Sequence, residues 1–113
     1  MYAWIFFLVK HLIEAYKLNP EVKDRHGQTP LHYASEKGYL DIVKYLVEEC
    51  KCNPDEKDGQ GQTPLYWASC GGHLDIVQYL IEECRATITE KIIEEIKNYL
   101  LEQQKEQKSN QNQ

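Results

Sequence analysis

The sequence predicts an all-α solenoid, a row of stacked helix-turn-helix repeats joined by hairpin-like turns. Three observations carry this. The chain falls on itself when shifted by 34 residues. Apolar residues recur at spacings of three and four after each turn, which is the helical period. Thr-Pro pairs stand where helices should begin, and glycines where they should end.

The register is long. Gly27-Gln28-Thr29-Pro30-Leu31 returns as Gly61-Gln62-Thr63-Pro64-Leu65, and Gly38 to Leu46 returns as Gly72 to Leu80. Glu48-Glu49-Cys50 returns as Glu82-Glu83-Cys84, and Asn19-Pro20 as Asn53-Pro54. In each unit an Asp- and Gly-containing turn comes first, where glycine is free to take positive φ. Thr29 and Thr63 are N-cap residues, and Pro30 and Pro64 come next at the position where a missing N–H costs nothing. The short first helix ends near Gly38 or Gly72, which suit a left-handed cap. The second helix carries Leu40, Val43, Leu46 and Val47 in one unit, and Leu74, Val77, Leu80 and Ile81 in the next.

The repeat sets the boundaries. Residues 1–104 form the repeat domain: a half-repeat over 1–22, repeats over 23–56 and 57–86, and a capping helix over 87–104. Residues 105–113 are a polar tail with no apolar residue to bury, expected to be disordered. The half-repeat begins inside a second helix, Leu8 to Tyr16, and Trp4 to Phe7 lack the polar outer face of a finished end. The capping helix has Thr87-Ile88-Thr89-Glu90 at capping-box spacing and an expected apolar stripe of Ile92, Ile96, Tyr99 and Leu100.

Composition excludes several classes. The chain has 113 residues, 42% of them hydrophobic, and a net charge of −5. That favours one folded domain and disfavours binding to a nucleic-acid backbone. The apolar run from Met1 to Val9 is broken by Lys10, His11 and Glu14, too soon for a membrane span of roughly 20 residues. The four cysteines without a secretory leader point to free thiols in a reducing, intracellular, cytoplasmic setting.

Thr29-Pro30-Leu31-His32 with Ala34 and Gly38-Tyr39-Leu40-Asp41-Ile42-Val43, and their copies from Thr63 and Gly72, resemble the ankyrin repeat. The resemblance covers about residues 8–88. The His of the motif becomes Tyr66 in the second copy, and Cys50-Lys51-Cys52-Asn53 replaces the usual Gly-Ala-Asp ending. The resemblance implies a non-catalytic module that binds a protein, with no cofactor and no metal. It also implies a binding face built from turn tips and the concave side of the first helices: Arg25, His26, Gln28, Tyr33, Glu36 and Lys37, then Gln60, Gln62 and Trp67. Further ankyrin repeats preceding this chain are a second expected partner. A terminal cap segment of a longer array, with no partner of its own, is the alternative.

Two chemical alternatives are weaker. Cys50-x-Cys52 and Cys70-x-x-His73 imitate zinc-ligand spacing, but the repeat puts the pairs at opposite ends of a helix about 16 Å long. A Cys70 nucleophile would need an oriented base, and His73 stands where Tyr39 serves in the other repeat.

Overall fold

The computed structural model describes the backbone of residues 3–111 and the side chains of residues 3–105. Six helical segments succeed one another: α1 (Ala3–Tyr16), α2 (Pro30–Lys37), α3 (Leu40–Lys44, continued by one wider π-helical turn, Tyr45–Glu49), α4 (Pro64–Cys70), α5 (Leu74–Glu82) and α6 (Glu90–Gln111). The first helices form one layer, α2 on α4 on α6, and the second helices another, α1 on α3 on α5. The core lies between them: Leu31, Val43, Leu46, Leu65, Ile76 and Leu80 are almost completely buried.

The caps form where their residue types place them. Gly38 takes φ 86°, and its N–H and that of Tyr39 both donate to Ala34 O at 3.0 Å. Gly72 takes φ 72° at the matching place. At the end of each second helix a basic residue enters the left-handed region instead: Lys17 (φ 57°), Lys51 (φ 59°) and Arg85 (φ 53°), again 34 apart. This is the conformation of the segment that departs from the usual Gly-Ala-Asp. It lets Cys52 N–H reach Leu46 O (3.0 Å) and Ala86 N–H reach Leu80 O (2.9 Å), which closes the helix ends.

Two sets of cross-repeat bonds hold the second-helix side. Tyr45 donates to Glu14 (2.9 Å) with the Lys10 ammonium 6.0 Å from its ring centre. One repeat on, Tyr79 donates to Glu48 (2.7 Å) with Lys44 5.5 Å from its ring. The loops repeat likewise: Asn53 N–H donates to Glu21 (3.0 Å), and Thr87 N–H to Asp55 (3.2 Å). Each unit is therefore fastened to the one before it by the same donors and acceptors.

Several expectations need correction at the ends. Thr89, not Thr87, caps α6: its hydroxyl accepts from Ile92 N–H, while Thr87 is spent on Asp55. Leu100 is exposed and leaves the α6 stripe to Ile92, Ile96 and Tyr99. The helix also runs past Gln104 to Gln111, so the expected break is absent there, while Asn112 and Gln113 lie outside the described residues. α1 starts at Ala3, earlier than the register of a second helix requires, and none of its residues is fully buried.

Candidate partner-binding surface

The turn tips are built around two aspartates. Asp24 Oδ1 accepts the N–H groups of His26 (2.8 Å) and Gln28 (3.0 Å). Asp58 Oδ1 does the same for Gln60 and Gln62, both at 2.9 Å. The other oxygen of each holds an aromatic residue of the next helix: Tyr33 OH donates to Asp24 Oδ2, and Trp67 Nε1–H to Asp58 Oδ2 at 2.9 Å. Gln28 reaches across from the preceding tip to the same Asp58 oxygen (3.3 Å). Burial opposes the charge of Asp58, but these hydrogen bonds outweigh it and hold the carboxyl below its ordinary range. At Asp24 the Tyr33 hydroxyl is the largest influence, and it too lowers the carboxyl.

Adjacent tips touch. Gly59 N–H donates to His26 O at 2.8 Å. A Cβ on Gly27, which has φ 75°, would stand 2.7 Å from Gly59 N, so only glycine fits. His32 locks the next level: its Nδ1 accepts Thr29 N–H (3.0 Å), which leaves Nε2–H to donate to Glu56 O (2.8 Å) and Gln62 O (3.2 Å). His73 Nε2 is bonded to Glu36 O (2.8 Å), another tie between repeats.

The residues read from the sequence as a binding face separate into two groups. Arg25, His26, Tyr33, Lys37 and Gln60 are exposed. Gln28, Glu36, Gln62 and Trp67 are half-buried and already carry structural bonds, through the side chain in Gln28 and Trp67 and through the backbone carbonyl in Glu36 and Gln62. Sequence reasoning missed the organising residues, Asp24 and Asp58, although their own 34-residue spacing beside the aromatic pair was the available signal.

The chemistry available elsewhere is limited. Among the described residues no three His, Cys, Asp or Glu side chains gather as metal ligands would. All four cysteines are free, and burial raises each thiol, Cys52 to about 12. A thiol above its ordinary value is a poor nucleophile at neutral pH. His73, the only candidate base near Cys70 in the sequence, is occupied by Glu36 O. A cleft of about 800 Å³ lies between α3 and α5 around Lys44, Glu48 and Tyr79, whose groups are engaged with one another. Among the described residues no helix is long and apolar enough to cross a membrane.

Stacked helix pairs with presented turn tips define a helical repeat scaffold. The family is specific: a model described as ankyrin repeats (3 copies) matches residues 1–92, and the chain belongs to the ankyrin repeat family. It is accordingly a non-catalytic interaction module. A comparison with curated proteins found no match.

Proposed function

We propose that the chain binds its protein partner through the turn tips and the outward side of α2 and α4. The observation that carries this is the matched pair Tyr33 and Trp67. Each ring is fixed by its polar atom to the aspartate of its own tip, so each is held in place without a partner present. Pre-ordered aromatic residues lose little entropy on binding and are favoured hot spots. Arg25, Lys37 and Gln60 surround them as an exposed polar rim. The free thiols support an intracellular, reducing setting.

Once a partner is captured, calorimetric titration tests the assignment. Trp67→Ala should weaken binding by about 2 kcal/mol or more. Arg25→Ala should do less and lose its effect in high salt. Gln78→Ala, on the second-helix side, should leave affinity unchanged. Because Trp67 also braces Asp58, circular dichroism must show that Trp67→Ala folds, and Tyr33→Ala supplies an independent arm. Loss of binding in Gln78→Ala with the tip variants intact sinks the assignment. A second reading, a terminal segment that caps an array and binds nothing, is favoured by the way α6 covers α4; tip variants with no effect on any interaction would support it.

A further inference from the structure

The two turn tips carry the same groups, and only one tip is covered. On the first tip, residues 56–59 of the next repeat use all of them. Lys23 Nζ pairs with Glu56 at 2.8 Å, and Gln28 Nε2 donates to Asp58 Oδ2 at 3.3 Å. His26 O accepts Gly59 N–H at 2.8 Å, and a Cβ on Gly27 would stand 2.7 Å from that nitrogen. A shift of 34 turns Lys23, His26, Gly27 and Gln28 into Lys57, Gln60, Gly61 and Gln62. Gly61 repeats the backbone of Gly27, φ 80° against 75°, but a Cβ built on it meets nothing within 4 Å. Among the described residues nothing donates to Gln60 O, and neither the Lys57 ammonium nor the Gln62 side-chain amide has a partner.

α6 does not supply the missing groups. The counterparts of Glu56, Asp58 and Gly59 are Glu90, Ile92 and Ile93, in the first turn of α6. Ile92 joins the core, and the N–H groups of Ile92 and Ile93 are both spent on Thr89. The covered tip shows what an occupant must be. A Cβ on Gly59 would lie 2.7 Å from His26 O, so this acceptor takes the N–H of a glycine. Asp58 holds its own turn with Oδ1 and offers Oδ2 across to Gln28. A second copy of this chain does not meet these terms: its first tip has Val22 and Arg25 in place of Glu56 and Gly59, and its own Gly59 is already bonded to His26.

We propose that the open side of the second tip docks an Asp-Gly turn of the partner protein, with a glutamate two residues before the aspartate. It sits on this tip as residues 56–59 sit on the first. The glycine N–H donates to Gln60 O, the aspartate accepts from Gln62 Nε2, and the glutamate pairs with Lys57. This rests on the tips being the partner-binding face and names the part of the partner they take. The contact is polar, so it fixes the register of the partner more than it adds to affinity.

Amide NMR of the full chain tests this, with a head-to-tail cyclised peptide copying residues 56–62 as the probe. The expected result is saturable shifts centred on Gln60, Gly61 and Gln62, with none at Gly27 and Gln28, whose places are taken. Gln62→Ala should weaken docking about tenfold, as loss of a hydrogen bond to a charged group does. Lys57→Ala should weaken it about threefold, an effect that fades in high salt. Neither side chain has a structural partner, so circular dichroism should be unchanged, and Lys37→Ala, at the end of α2, should dock the peptide as the wild type does. No saturable shift up to about 10 mM peptide overturns the proposal. Equal docking of a Gly59→Ala peptide, or shifts centred on the second helices, overturns it too. If the peptide fails while Tyr33→Ala and Trp67→Ala still weaken the captured partner, the tip face stands and this account of what it takes falls. If the peptide docks as expected while those two variants change nothing, the docking site stands and the aromatic pair is not the hot spot.

Discussion

The two full repeats share their scaffold bonds and differ where their neighbours differ. His32 reaches forward to the carbonyls of Glu56 and Gln62, which lie in an irregular loop and have room for its Nε2–H. The matching residue is Tyr66, and the positions corresponding to Glu56 and Gln62 are Glu90 and Ile96. Both lie inside α6, where helical bonds engage the carbonyls. A histidine there would have no acceptor. Tyr66 instead lies under the Lys91 ammonium, 5.2 Å from its ring centre, and against Trp67. A departure from the repeat motif that looks arbitrary in sequence thus marks the level at which the stack stops.

The largest test of this comparison sets a core position against its uncovered counterpart. Leu46→Ala should cost roughly 2–5 kcal/mol, as removal of a buried Leu does. Leu12→Ala should cost less than about 1 kcal/mol, as expected at a site away from the core. Urea denaturation of both variants decides it, and equal costs would mean that α1 is covered in the single chain.

Next comes the exchange at the motif. His32→Ala strands buried backbone groups and should cost about 1–3 kcal/mol. Tyr66→His should cost within about 1 kcal/mol, since the site at that level asks for no donor. If Tyr66→His proves as damaging as His32→Ala, the explanation from the neighbouring helix is wrong.

A smaller effect is visible only against pH. The Asp58 carboxyl lies below its unfolded value, near 3.8. Its contribution is therefore complete above that value and is lost as pH falls through the lower folded-state value. Asp58→Asn should flatten the acid limb of a stability–pH curve below about pH 4 relative to wild type. Parallel curves would show that Asp58 does not contribute to acid sensitivity.

The least effect is expected at two serines. Ser69 Oγ donates to Leu65 O (2.8 Å), while the equivalent Ser35 Oγ is buried with no partner. Ser69→Ala should cost about 1 kcal/mol and Ser35→Ala nothing, or even stabilise. Thermal denaturation of the pair would resolve the difference in sign.

Most of the scaffold could be read from the residues alone, because its signals are local. Thr29-Pro30 and Thr63-Pro64 start helices, and Gly38 and Gly72 end them, by backbone chemistry that needs no neighbour. The Asp58 hub and the Lys-Tyr-Glu groups were not read. Their partners lie one repeat away, and only the packing of one helix layer on another brings Gln28 to Asp58 or Tyr45 to Glu14. The candidate site was legible as a set of positions. Which of them are already engaged was not, because Trp67 and Gln62 look as free in sequence as Arg25 does. At α6 the local signal misled: Thr87 and Thr89 both suit a cap, and only the reach of Asp55 decides between them.

The left-handed residues Lys17, Lys51 and Arg85 make the boundary between units interchangeable. Backbone shape at these three places is the same, φ 57°, 59° and 53°. After two of them, Cys52 and Ala86 close their helices by the same backbone bond, to Leu46 O (3.0 Å) and Leu80 O (2.9 Å). Cutting out residues 18–51 would bring Lys17 directly onto Cys52 with the same joint on both sides, and α1 would meet the counterpart of the surface it already covers. Copying the same segment in place would lengthen the stack without a new turn. The gene for such a chain could gain or lose 34 codons at a time and still encode the same backbone shape at each joint.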